Sequence, residues 1–122
     1  MNQSAWKLAA AVILLAITVL SLMPAEPKEG VSVIDKFQHL IAYGALAFSL
    51  LRGFSSQAVW RVVVGAVLFG VAIEFAQQWL TETRQLDPLD MVANSLGVML
   101  AVGFSALFGL GRESNREPDH SI

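Results

Sequence analysis

The sequence predicts an all-α membrane protein, a four-transmembrane-helix bundle, and three observations support this fold class. The mean hydropathy of the chain is +0.58. Only 15% of its 122 residues are charged, whereas a soluble domain carries about 25%. Four nearly uncharged segments follow one another without strand-like alternation, and only helices or closed barrels satisfy the backbone in lipid. We therefore interpret each segment as a transmembrane helix.

The four apolar segments run approximately over residues 7–23, 37–51, 59–80 and 89–110. The last two are long enough to cross about 30 Å of hydrocarbon at 1.5 Å per residue. The first two are shorter, so flanking residues have to extend these helices for them to cross the membrane. An alternative for the first segment is a cleaved signal peptide, although no clear small-x-small cleavage pattern follows it. We expect the bundle to occupy residues 1–110 and a polar tail to occupy residues 111–122.

Basic residues predict the orientation of the bundle. With four spans, the two termini and the middle loop share one side, which carries five of them: Lys7, Arg52, Arg61, Arg112 and Arg116. The other side carries three: Lys28, Lys36 and Arg84. We therefore expect both termini in the cytoplasm and the first and third loops outside.

Composition also excludes several partners. The net charge of −2 and the lack of a basic patch argue against nucleic acid. The chain has no cysteine, so it can form neither a disulfide framework nor a thiolate metal site. The lipid bilayer is the partner that the composition favours.

Polar side chains in or beside the apolar segments are the main functional signal. An ionisable group at membrane depth costs about 2.5–3.5 kcal/mol or more, so such groups usually mark a site or a pathway. This set consists of Asp35, His39, Glu74, Gln78, Arg84, Asp90 and Asn94. In a four-span bundle the second helix starts, the third ends and the fourth starts on one side. All of these residues therefore fall in the same half of the membrane.

Helical spacing places these residues on shared faces. Asp35, His39 and Tyr43 follow one another at intervals of four. The same spacing joins Ala66, Gly70, Glu74 and Gln78 on the third helix, and Asp90, Asn94, Gly97 and Ala101 form a third stripe. Small residues beside polar ones let membrane helices approach closely. We expect a polar pocket that opens to the outer surface.

Capping explains some of these acids without any function. Ser32 and Asp35 match a capping box, and Asp87-Pro88 matches the N-cap and first position of the fourth helix. His39 could bond a backbone carbonyl, and Arg84 could be a solvated loop charge. Glu74 lies inside its span, away from any helix start, so it resists such explanations. His39 and Arg84 are its available cationic partners.

The same residues carry a family resemblance. The segment Asp35-Lys36-Phe37-Gln38-His39-Leu40-Ile41-Ala42-Tyr43 resembles the DKxxHxxxY signature of VanZ-like membrane proteins. A second block is similar to the family's E-x-x-Q, R, D-x-x-D-x-x-x-N-x-x-G pattern and consists of Glu74, Gln77, Arg84, Asp87, Asp90, Asn94 and Gly97. The resemblance covers about residues 33–105. It implies a bacterial inner-membrane protein of a family linked to resistance to the glycopeptide teicoplanin, without an agreed biochemical activity.

Three functions remain open at this stage. The first is binding of an envelope component, lipid headgroup or glycopeptide-like amphiphile, with Asp35, Lys36, His39, Glu74, Gln78, Arg84, Asp90 and Asn94 as candidate ligand-binding residues. The second is catalysis on a lipid-linked substrate, with His39 as general base, Asp35 or Asp90 orienting it, and Glu74 as a carboxylic acid. If this catalysis used a metal ion, Asp35, His39, Glu74 and Asp90 would be the ligands of Zn, Mn or Mg. The third is a structural subunit whose polar residues lock the bundle.

Overall fold

The computed structural model describes residues 2–24, 32–82 and 85–107 of the chain. It contains four helices in this part of the chain: α1 Gln3–Leu22, α2 Val33–Gly53, α3 Val59–Leu80 and α4 Pro88–Leu107. At 1.5 Å per residue each helix is about 30–33 Å long, close to the thickness of a hydrocarbon core. The all-α prediction is confirmed. The expected tail over 111–122 and the loop residue Arg84 lie outside the described residues.

Side-chain caps extend the first two helices beyond the apolar segments. Asn2 Oδ1 accepts a hydrogen bond from the Ala5 amide at 2.9 Å, so α1 begins four residues before Lys7. Ser32 Oγ accepts from the Asp35 amide at 3.2 Å, which confirms Ser32 as the N-cap of α2. These caps make both helices long enough to match the other two.

Three helices, α1, α3 and α4, are long and apolar enough to cross a membrane. The remaining helix, α2, has 21 residues but is less apolar, because its first turns carry Asp35, Lys36 and His39. The structure therefore shows membrane-length helices in a helical protein, and a fourth span through α2 stays a prediction.

Apolar and polar side chains are distributed in a way that suits lipid rather than water. Large apolar side chains lie exposed along α1, α3 and α4, for example Leu15, Leu68 and Leu100 at 60–63% exposure. Polar side chains such as Glu74 and Asn94 are buried instead. A water-soluble monomer rarely exposes so much contiguous apolar surface. The arrangement indicates a membrane protein.

The central helix is α2, which packs against all three other helices. Lys36 at its start meets Asp90 at the start of α4, and the Phe48 ring near its end lies 5.7 Å from the Phe104 ring near the end of α4. These two helices therefore run parallel, in direct contact. Since α3 joins the end of α2 to the start of α4, it runs antiparallel to both, and its C-terminal end lies beside the starts of α2 and α4.

Candidate functional site

Lys36 lies at the centre of a group of carboxylates that joins the starts of α2 and α4. Its ammonium nitrogen lies 2.6 Å from Asp87 Oδ2, 2.5 Å from Asp90 Oδ1 and 3.8 Å from Asp35 Oδ2. Such charge-assisted contacts are stronger than neutral hydrogen bonds. We call Asp35, Lys36, Asp87 and Asp90 the carboxylate cluster.

Asp87 has two roles, one for each carboxylate oxygen. Oδ1 accepts a hydrogen bond from the Leu89 amide at 2.9 Å, so the predicted capping of α4 is confirmed. Oδ2 binds Lys36, which the sequence pattern did not indicate. The hydrogen bond from Lys36 lowers the pKa of the Asp87 carboxyl below its usual range, although partial burial opposes this shift. Capping and ion pairing are therefore compatible at one residue.

His39 lies one turn deeper along α2 and bridges to α4. Its Nδ1 lies 2.9 Å from Asn94 Oδ1, and its Nε2 lies 3.5 Å from Asp90 Oδ2. An amide oxygen can only accept a hydrogen bond, so the contact with Asn94 places a proton on Nδ1. Asn94 is 2% exposed, so the imidazole is held by a rigid buried partner.

Glu74 faces the interior of the bundle and is fully buried. Its Oε2 accepts a hydrogen bond from the Asp87 amide at 3.2 Å, which links α3 to the carboxylate cluster. The sequence suggested His39 or Arg84 as its cationic partner. Instead His39 contacts Asn94 and Asp90, and Arg84 lies outside the described residues. The second oxygen, Oε1, has no hydrogen-bond partner in the described part of the chain.

A buried polar layer lies beneath the carboxylate cluster, where α2, α3 and α4 meet. A β-carbon on Gly70 would lie 3.1 Å from both Asn94 Nδ2 and Tyr43 Cε1, so glycine makes room for these two side chains. Tyr43 Oη and Asn94 Nδ2 are buried and, among the described residues, have no hydrogen-bond partner. Such groups usually find a partner in water or a ligand.

Gln78 does not join this layer, because its side chain is exposed. Gln77 takes the inward position instead and donates from Nε2 to the Ser21 carbonyl of α1 at 3.0 Å. A spacing of four drifts by about 40° per step around a helix of 3.6 residues per turn. Three such steps from Ala66 therefore turn Gln78 away from the interior. A pattern of residues spaced strictly by four does not account for this rotation, so it assigned Gln78 to the inward face.

An apolar groove runs along the outside of the bundle between α2 and α4. Its volume is about 340 Å³, and the side chains along it are almost entirely apolar. They include Val33, Phe37, Leu40, Leu89, Val92 and Leu96, together with Lys36. Lys36 thus lines the groove with its alkyl chain and enters the carboxylate cluster with its ammonium group.

Two members of the carboxylate cluster, together with His39, form a set of side chains that could hold a metal ion. Asp35, His39 and Asp90 each offer one ligand atom, and these atoms lie within 4.8 Å of one another. The expected metal set also included Glu74. In the structure Glu74 approaches the cluster from α3, through the Asp87 amide.

These features define a class: a helical protein of membrane type with a partly buried polar site at one end of its bundle. Of the predicted site residues, Asp35, Lys36, His39, Glu74, Asp90 and Asn94 converge on this end. Comparison with protein-family models, curated proteins and solved structures found no match to the chain. The site's own geometry therefore carries the functional argument.

Proposed function

We propose that this protein is an integral membrane protein that binds an amphiphile, with the apolar tail in the α2–α4 groove and the polar headgroup at the carboxylate cluster. The observation that carries the proposal is the position of Lys36. A single side chain lines the groove and also contacts Asp87 and Asp90. The apolar and polar surfaces are therefore continuous, as a lipid-like ligand requires.

The groove suits a hydrocarbon chain in its chemistry and its surroundings. Its volume of about 340 Å³ lies at the lower end of ligand pockets, which span about 300–1,000 Å³. Phe37, Val92 and Leu96 line it and are 52–58% exposed, so the groove opens toward the surface that lipid would cover. A tail can therefore enter from the bilayer without crossing water.

Binding fits the polar site better than catalysis does. The two ring nitrogens of His39 face the protein side chains Asn94 and Asp90, and His39 does not line the groove, so the imidazole is not directed at a ligand held there. In our proposal α2 also spans the membrane, the termini are cytoplasmic, and the site faces outward in a bacterial inner membrane. The resemblance to VanZ-like proteins supports an envelope component or a glycopeptide-like amphiphile as the ligand.

Blocking the groove tests this function. Val92→Trp fills the groove, whereas Val64→Trp adds the same bulk to an exposed position of α3 that does not line it. A phospholipid with a photoreactive diazirine in its acyl chain serves as the probe for the purified protein in nanodiscs. We expect cross-links at Phe37 and Leu96 in the Val64→Trp variant, and at least a tenfold loss of these cross-links in Val92→Trp. Labelling spread evenly over the exposed apolar residues of α1 and α3 would overturn the proposal.

A further inference from the structure

The carboxylate cluster carries an excess of negative charge. Asp35, Asp87 and Asp90 supply three carboxylates around the single ammonium group of Lys36. The side chains of Asp35, Lys36 and Asp90 are no more than 19% exposed. Such a concentration of carboxylate oxygens is attractive to a divalent cation.

The two oxygens of Asp90 face different partners. Oδ1 contacts Lys36, which leaves Oδ2 directed toward His39 Nε2 at a distance of 3.5 Å. This distance is longer than an ordinary hydrogen bond. It is close to the roughly 3.4 Å that separates two ligand atoms on a tetrahedral ion with bonds of about 2.1 Å. Asp35 lies one turn before His39 on the same face of α2. The three ligand atoms lie within 4.8 Å of one another, so the widest separation has to shorten by about 1.4 Å at most to reach the spacing of ligands on one ion.

Asn94 fixes the orientation of the His39 imidazole through a hydrogen bond, as residues outside the metal's own ligands do for metal-binding histidines. Its Oδ1 holds the proton on His39 Nδ1. In the neutral ring, Nε2 therefore presents a lone pair toward the carboxylate of Asp90. A cation placed between this lone pair and the carboxylate would bond to both. Metal-ligating histidines usually have this kind of fixed outer partner.

Glu74 gives an independent indication that the site accepts a further group. It is fully buried, and one of its oxygens bonds the backbone of Asp87 inside the cluster. Its other oxygen has no hydrogen-bond partner within the described ranges. Buried polar atoms of this kind usually bond water or a ligand, and a cation-bound water at the cluster would supply such a partner.

We propose that Asp35, His39 and Asp90 bind a divalent cation of the Mn²⁺ or Zn²⁺ kind, with Asn94 as the positioning residue for His39. The mixture of one nitrogen and two oxygen ligands suits these ions. Three protein ligands leave coordination positions open to water or to a headgroup oxygen. The metal site does not depend on amphiphile binding, because none of its three ligands lines the groove.

Metal titration of the purified full-length protein tests this site. The chain has two histidines, so His120→Ala is placed in every sample to remove the other imidazole. The metal-free protein in detergent is titrated with Mn²⁺, followed by electron paramagnetic resonance, and with Zn²⁺ by calorimetry. We expect saturation near one ion per chain, with nitrogen coupling from His39 in the Mn²⁺ spectrum.

Variants separate ligands from neighbouring charges. His39→Ala and Asp35→Asn should each abolish saturable binding, and Asn94→Ala should weaken it about 10–100-fold because the imidazole loses its outer partner. Glu82→Gln removes an exposed carboxylate at the same end of the bundle and should bind like the parent. Circular dichroism verifies that each variant is folded, and Asp35→Asn keeps the shape of the ligand if His39→Ala does not fold. Equal binding by the parent and Asp35→Asn, or bound Mn²⁺ without nitrogen coupling, would overturn the proposal.

Discussion

Gly97 of α4 lies so close to Leu40 of α2 that a β-carbon at Gly97 would stand 2.2 Å from the Leu40 carbonyl oxygen. Gly44 of α2 packs against the same glycine, since a β-carbon added at Gly44 would lie 3.2 Å from the Gly97 carbonyl oxygen. The two backbones therefore touch directly. This contact fixes the register of α2 against α4, and with it the pairing of His39 with Asn94 one turn away.

Replacing Gly97 should therefore separate the two helices. We expect Gly97→Ala to lower the free energy of unfolding by about 1–3 kcal/mol or more, because the backbone has to move to admit the methyl group. Thermal unfolding in detergent, followed by circular dichroism, measures this loss. Gly103→Ala is the matched control on α4, where a β-carbon meets nothing within 4 Å. The control should be neutral or gain up to about 1 kcal/mol from helix propensity, and equal losses in both variants would contradict the register argument.

Glu74 should matter for function more than for folding. In Glu74→Gln the amide oxygen can still accept the hydrogen bond from the Asp87 amide, so we expect membrane insertion and thermal stability to change little. The variant should nevertheless fail to complement a deletion strain, for example in its sensitivity to envelope-active antibiotics. His39→Ala should give the same loss. Complementation by both variants would favour the structural-subunit function. If neither variant folds, the polar residues serve the packing of the helices rather than a functional site.

Asp87 should contribute a pH-dependent part of the stability. Its pKa is lowered in the folded protein by Lys36, so its contribution is fully present above the unfolded value of about 3.9 and is lost as the pH falls through the lower folded value. Asp87→Asn keeps a good N-cap but loses the charge. We expect the stability difference between the parent and Asp87→Asn to be constant above about pH 5 and to shrink below about pH 4. The two proteins differ only at residue 87, so the comparison isolates Asp87.

Unfolding midpoints measured from pH 3 to pH 7 provide this difference. Asp87→Ala should show an additional loss of about 0.5–2 kcal/mol at every pH, because alanine cannot cap α4. A difference between the parent and Asp87→Asn that stays constant down to pH 3 would contradict the ion pair with Lys36.

Orientation can be measured with single cysteines, because the natural chain has none. We expect Gln85→Cys, in the loop before α4, to react with an impermeant thiol reagent in intact cells. Ser56→Cys, in the turn between α2 and α3, should react only after the cells are opened. Both positions are exposed, so accessibility within the protein is matched. The opposite labelling pattern would place the carboxylate cluster at the cytoplasmic surface.

The sequence by itself determined the helical class and the approximate positions of the helices, because apolar runs of membrane length and caps such as Ser32 are local signals. It also determined which end of the bundle carries the polar residues, since the order of the helices places them at one depth. The inward stripe of Asp90, Asn94, Gly97 and Ala101 followed from spacing alone, and all four residues are buried.

Only the tertiary structure decided which polar atoms meet. The pairing of Lys36 with Asp87 and Asp90 depends on α2 and α4 lying side by side, and spacing alone did not show which helix Gly97 would meet. The rotation of α3 likewise decided that Gln77, rather than Gln78, points inward. Contacts between helices depend on how their surfaces fit together in three dimensions, and a one-dimensional pattern specifies only which face each helix offers.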